Sequence, residues 1–552
     1  MPPRLPSLIV ALALAAPLSL AHADDVKTVC TITVNSPDEK ETLQRHLPPD
    51  RYRFVELVEK GRPDWLASSC RAGVRCDVLV ISGHFDDGDA FYTDRLDQRE
   101  NLPVDELERV SCSESCPGVF SQLKEVYLFG CNTLNALPRR SASPEMSRSL
   151  VRAGYSPVEA ETISRGLAER HAESNRDRMR HVFKDVPTIY GFSGKAPLGR
   201  YAGPMLDRYL TSGGAGEIAT GKPSPALLGT FSKVGMVALP GLSDADATAG
   251  VRQDACHFHD ERLAAASRIA FVHDVLRRPA AEVRMFLDAI ERWSTTLTDA
   301  ARAEPASAAA LDAISADAEA RERFLVFARD ADEASVRVRM IALARRLGWL
   351  TAADERADFA RMVVERAERG TLGGADVELA CRRGADPELA SEVDRQARAM
   401  RRDSVALAAV RACAGSADGH QRVLRALVGG SGDDVTVAQV YLRHRPIVEP
   451  GELRAVAAGV AKRPAGDAQV RALDALAAHR LSDPESLAAL AALFPQAGSL
   501  DAQRAIAGIL IRADTGALSR ADLAKSLKRT RLRSPDGADM IDVLIRRLDA
   551  SS

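Results

Sequence analysis

Two short hydrophobic runs limit what this chain can fold into. Asp77 to Ser82 (DVLVIS) is followed at once by Gly83-His84, and Glu125 to Phe129 (EVYLF) by Gly130-Cys131. Runs this short, rich in β-branched and aromatic residues and bounded by glycine, read as buried strands rather than helices. Strands with so little polar alternation belong in parallel sheets covered on both faces. Each run delivers a reactive side chain, an imidazole or a thiol, to its carboxyl end. In open α/β sheets that edge is where ligands bind.

The flanking sequence extends the same architecture. Val26 to Val34 (VKTVCTITV) predicts a strand, the polar run from Ser36-Pro37 to His46 a helix broken by Pro48-Pro49-Asp50, and Tyr52 to Val58 another strand. Leu102 to Val110 has apolar residues at helical spacing. After a helical insertion from about Ser143 to Phe183, Thr188 to Phe192 (TIYGF) resumes the sheet, and Lys233 to Leu239 adds a last strand. The expected fold class is an α/β domain with a mostly parallel sheet over residues 24–240, followed by an all-α domain.

Leu239 to Asp254 mixes Pro, Gly, Asp and Ala without apolar periodicity, so the domain boundary is expected there, with a linker over 241–260. Over 261–552 helical signals dominate. Val336, Met340, Leu343 and Leu347 share one face, and Thr351 with Asp354 forms a capping box for the next helix. Asp483-Pro484 and Ser519 to Asp522 start others. Short amphipathic helices, each too narrow to make a core, predict stacked helix pairs with a loose period of roughly 30 to 45 residues. The pattern resembles HEAT or armadillo repeats, with a compact helical bundle as the alternative; either would offer a surface to a protein partner.

With 552 residues, 46% of them hydrophobic, the chain can bury several cores. Its formal net charge of -2, with both signs interspersed, gives no footing for nucleic acid, which needs a concentrated excess of Lys and Arg. Residues 1–23 read as a secretory signal: Arg4, the apolar run Leu8 to Leu20, then Ala21-His22-Ala23 before a cleavage point. Export to the periplasm or beyond is expected, with no membrane-spanning run after cleavage.

Export bears on the nine cysteines, because disulfides persist outside the cytoplasm. An odd number leaves at least one unpaired, and Cys131 is the candidate. Cys70 with Cys76, Cys112 with Cys116, and Cys381 with Cys413 are the local pairs, leaving Cys30 and Cys256, although spacing leaves connectivity open. A zinc site from the first four cysteines is the rival arrangement.

A thiol attacks a carbonyl as thiolate, and a nearby imidazole can take its proton and pass it to the leaving amine. His84 and Cys131 are 131 − 84 = 47 residues apart, enough for one crossover between adjacent parallel strands. Backbone N–H groups beside the nucleophile would hold a developing oxyanion.

With VLVISGH and VYLFGC in this order, the sequence resembles the caspase-like cysteine peptidases, a superfamily that includes caspases, legumain, gingipains, clostripain, separase and the bacterial CHAT domains. The resemblance covers about residues 25 to 240. It implies His84 as general base and acid, Cys131 as nucleophile, and backbone amides near Gly83, Phe85 and Cys131 as oxyanion donors. Phe85 stands where many members have Gly, and Asn132-Thr133-Leu134 matches none of the best-known subfamily signatures. The resemblance also implies a narrow pocket for the side chain preceding the cut. Asp86, Asp87 and Asp89 would favour Arg or Lys there, with Ser193 and Gly194 from the Gly191 to Gly199 loop; the plainer reading of the aspartates is a solvated acidic loop.

No cofactor or metal is expected. The aspartates lack the spacing of a calcium loop, and Cys256-His257-Phe258-His259-Asp260 has no distant third ligand. The function expected is an exported cysteine peptidase acting on a protein or peptide substrate that its helical domain recruits. The alternative is an inactive caspase-like scaffold serving as a protein-interaction module.

Overall fold

The computed structural model describes residues 26–58, 66–85, 88–93, 100–112, 116–137, 143–171, 173–260, 262–398, 404–513, 518–534 and 539–550. The expected leader, Asp86 and Asp87 lie outside these residues. The chain forms two compact units: Met1–Ser143 with Thr162–Val272 and Asp288–Ala301, and Pro144–Glu161 with His273–Leu287 and Arg302–Ser552. Among the described residues, no helix is long and apolar enough to cross a membrane.

The first unit is built on a parallel sheet. In chain order it runs β1 (Lys27–Thr33), α1 (Asp38–His46), β2 (Tyr52–Glu56), α2 (Ala67–Arg71) and β3 (Val78–Ser82). A small antiparallel pair follows, β4 (Ala90–Tyr92) with β5 (Asn101–Pro103), then α3 (Val104–Cys112), α4 (Pro117–Ser121) and β6 (Glu125–Phe129). The insertion holds α5 (Ser143–Arg152), which belongs to the second unit from Pro144 on, α6 (Pro157–Arg170), which passes into the first unit at Thr162, and α7 (Asn175–Val182). Next come β7 (Thr188–Phe192), α8 (Gly199–Thr211), α9 (Pro225–Thr230), β8 (Met236–Leu239) and α10 (Ala249–His259). The sheet order is β2-β1-β3-β6-β7-β8, parallel throughout except that β8 runs antiparallel to β7.

Strand alternation divides the core into two layers. Leu79, Ile81, Val126, Leu128 and Ile189 face one side, against Leu107 and Val110 of α3 and Met179 and Val182 of α7. Val78, Val80, Tyr127, Phe129 and Tyr190 face the other, against Leu43 of α1 and Leu206 and Tyr209 of α8. At roughly 1.5–3 kcal/mol for each large side chain fully buried, this double cover is why both central strands read as unbroken hydrophobic runs. Two boundaries differ from the sequence reading: the last strand, expected from Lys233, begins at Met236 after a helical turn over Ser232–Val234, and the start of the Leu102 helix is displaced. The first three residues expected in the Leu102 helix are split, Leu102 and Pro103 closing β5 and Val104 opening α3, because Leu102 pairs with Phe91 across the small sheet.

The cysteines correct the local pairing. The disulfides are Cys30–Cys76, Cys70–Cys116, Cys112–Cys256 and Cys381–Cys413, and only the last matches a pair expected from spacing. Cys30 lies on β1 and Cys76 just before β3, so strand pairing brings together residues that are 46 apart in sequence. Cys112, the last residue of α3, reaches Cys256 in α10. Residues 241–260 are therefore more than a linker. Arg252 in this segment donates to His181 O at 2.8 Å and Ser111 Oγ at 2.9 Å, which fastens α10 to α7 and α3 without an apolar stripe.

The second unit is helical. Val336, Met340, Leu343 and Leu347 are all buried, and the Thr351 and Asp354 capping box is formed at the next helix. Helices Gly374–Arg382, Val405–Cys413, Gly432–His444, Asp467–Ala477, Leu500–Arg512 and Met540–Ala550 each pack on the next in that series. Ala417–Gly429, Pro450–Ala461 and Pro484–Leu493 form a second row in the same manner. A continuous apolar core from Ala334 to Leu548 runs between the rows, and Cys381–Cys413 joins the first two helices of the longer one.

Candidate active site

The register of the two central strands sets the site. Ser82 lies opposite Phe129, and Gly83 N–H donates to Phe129 O at 3.1 Å, so the chain leaves β3 and β6 side by side. The approach is too close for larger residues. A Cβ at position 130 would lie 2.8 Å from Phe85 Cβ and 2.9 Å from Gly83 O, and one at position 83 would lie 3.1 Å from Val34 Cβ. Both glycines are thus explained by packing between the strand ends.

His84 is held by its backbone. Its N–H donates to Tyr92 O, and Tyr92 N–H donates to His84 O, both at 2.9 Å, which ties the loop after β3 to β4. Phe85 is fully buried, its ring 4.6 Å from that of Phe91. Phe85 is therefore an apolar anchor beneath the strand ends, next to the backbone that carries His84.

Cys131 opens the turn after β6 and is the free cysteine, half-buried and outside every disulfide among the described residues. Ala196 N–H donates to its Sγ at 3.4 Å. Asn132 takes a left-handed conformation (φ 60°), which Asn tolerates better than most residues. Its N–H donates to Gly194 O at 2.6 Å, and its own carbonyl accepts from Asn175 Nδ2 at 3.0 Å. Thr133 Oγ1 accepts from Phe192 N–H at 3.0 Å, and Leu134 N–H donates to Phe192 O at 3.0 Å. The Asn-Thr-Leu sequence thereby locks the turn that carries Cys131 onto the end of β7.

His84 and Cys131 line one small cleft of about 30 Å³. Its other walls are Asn35, Ser36 and Glu39 after β1, Ser82, Phe129 and Gly130, and Ala196 to Gly199 after β7. Among the described residues, the N–H groups of Phe85 and Cys131 have no acceptor; Cys131 lines the cleft, whereas Phe85 is fully buried outside its lining, so the Cys131 amide is the one placed for an anion. Gly83 differs from the expectation, because its amide is already committed to Phe129 O.

The remaining pocket residues are placed elsewhere. Asp89 is half exposed and sits 3.9 Å from the Arg178 guanidinium, outside the cleft. Arg178 is held mainly by Glu108 and Asp105, at 2.9 and 2.7 Å. Ser193 N–H and Oγ both donate to Gly235 O at 3.1 Å, and Gly194 is occupied with Asn132, so neither lines the cleft. The loop contributes through Ala196 to Gly199 instead.

Glu39 is the site residue that the sequence reading passes over. It stands in the first turn of α1 and is 2% exposed. Burial pushes its carboxyl up to about 7, opposed by a hydrogen bond from its own backbone N–H and reinforced by Asp38. Its Oε2 has no hydrogen-bond partner among the described residues. A signal was present: Glu39, Leu43 and Leu47 fall four residues apart, and all three are buried. An acid heading an apolar stripe is pointed inward.

The site that results has an imidazole, a free thiol, the Cys131 amide and a buried carboxyl at the carboxyl edge of one sheet. No protein-family model, curated protein or solved structure matches the chain.

Proposed function

We propose that the chain is an exported cysteine peptidase of the caspase-like type, with its helical unit recruiting or orienting a protein substrate. The observation that carries this reading is the free, half-buried Cys131 sharing a cleft with His84 at the ends of two hydrogen-bonded parallel strands. That arrangement is what the resemblance to caspase-like peptidases implies. In the reaction, the Cys131 thiol proton passes to His84 as Sγ attacks the substrate carbonyl carbon. The carbonyl oxygen becomes an oxyanion facing the Cys131 amide. Collapse breaks the C–N bond, His84 delivers the proton to the leaving amine, and a thioester remains on Cys131. Water then attacks that thioester, giving a proton to His84 and releasing the acid and the thiol.

The inactive-scaffold reading is favoured by one observation, the cleft volume of about 30 Å³, which must widen to admit a substrate side chain. Peptidyl acyloxymethyl ketones separate the two. The peptidase reading predicts a thioether on Cys131, located by peptide mapping and lost in folded Cys131→Ala and His84→Ala variants. Absence of that adduct across a panel of peptide side chains contradicts it.

A further inference from the structure

The floor of the cleft bears on which substrates the dyad takes. Glu39 is buried, lines the same cleft as His84 and Cys131, and presents an oxygen with no partner among the described residues. Among the described residues, the cleft lining contains no Lys or Arg. Lys40, the nearest cation in sequence, is turned to Glu56 at 2.8 Å. The other polar members of the lining are Asn35, Ser36, Ser82 and His84, and Ser82 Oγ is committed to Ser36 O at 2.9 Å.

A buried acceptor without a donor is costly, and a fold retains one where a ligand supplies the donor. We propose that Glu39 is the specificity-determining residue of this site and that it selects a primary ammonium, a lysine side chain immediately before the scissile bond. The inference rests on the peptidase reading.

Size and charge argue for lysine in particular. The cleft, about 30 Å³, widens less for a compact ammonium than for a broad planar guanidinium. Phe129, Ala196 and Leu198 offer apolar surface for the methylene stem. When the ammonium arrives, the carboxyl ionises against it and Oε2 gains its missing donor. Burial that disfavours the lone carboxylate then strengthens the pair, since both charges leave water together only when matched. A neutral side chain of the same length leaves Oε2 unsatisfied and is discriminated against by the same group.

The test compares rates of Cys131 labelling by two acyloxymethyl ketones, identical except for lysine or norleucine at the residue beside the warhead. In each reaction Sγ bonds to the methylene carbon and a carboxylate leaves. The expected result is lysine faster by on the order of 100-fold or more, with the lysine-to-norleucine ratio collapsing toward parity in Glu39→Gln. An arginine reagent, run in parallel, is expected to fall between the two. Labelling of Cys131 with a lysine-to-norleucine ratio near one, or a ratio unchanged in Glu39→Gln, overturns this inference and leaves the peptidase reading standing. Failure of every reagent to label Cys131 overturns both.

Discussion

Glu39 makes stability depend on pH in a direction opposite to that of most surface acids. Its carboxyl rises from 4.5 to about 7 in the folded chain, with desolvation as the leading cause. The native state therefore holds a proton that the unfolded chain gives up. The contribution is fully present below pH 4.5, where both states are protonated, and is lost as pH rises through about 7. At about 1.4 kcal/mol per pH unit, the loss totals roughly 3 kcal/mol. Glu39→Gln keeps the shape and removes the titration. Hydrogen exchange of peptides from β1 and α1, corrected for intrinsic rates, reads the local opening energy at each pH. Between pH 4.5 and 8 the variant should gain roughly 3 kcal/mol on the wild type in these peptides. A difference between the two proteins that does not change with pH refutes the reasoning, because a Glu39 that titrates normally has no such linkage.

Three further outcomes follow from the same contacts. Gly130→Ala places a Cβ 2.8 Å from Phe85 Cβ and should destabilise the first unit by about 1–3 kcal/mol in chemical denaturation, with slower ketone labelling of Cys131 as the strand ends part. His181, lowered to about 4 mainly by burial, contributes stability that is present above pH 6.5 and lost as pH falls through 4. Exchange of α7 peptides should therefore accelerate in acid, and His181→Gln should remove that dependence. Opening Cys112–Cys256 with paired Ser substitutions should raise exchange throughout α10, whose only buried side chain within the helix is Phe258, while leaving β3 and β6 protected.

Much of the α/β unit was legible because burial on both faces leaves its mark on sequence. DVLVIS and EVYLF had to be central strands, and glycine before each reactive residue followed from how closely the strand ends approach. The mostly parallel sheet and the helical second half follow from the same periodicities. What escaped was tertiary. Cys70 and Cys76 are near in sequence, yet strand pairing gave Cys76 to Cys30 and left Cys70 to Cys116. The α10 helix was hidden because a disulfide and Arg252 hold it, and neither produces an apolar stripe. Glu39 was hidden by its charge, in a helix whose other acids are solvated or paired; only its place above Leu43 and Leu47 betrayed it. Asp89 showed the reverse error, an acid near His84 in sequence that turns to Arg178 instead.

Cleavage itself is the most direct measure of the central claim. A peptide library incubated with the wild type, Cys131→Ala and His84→Ala proteins, with termini read by mass spectrometry, should show new termini for the wild type alone, enriched for lysine on the amino side of the cut. Wild-type termini that persist in Cys131→Ala, or a wild type that yields none while its Cys131 is reduced and the fold intact, would contradict the account.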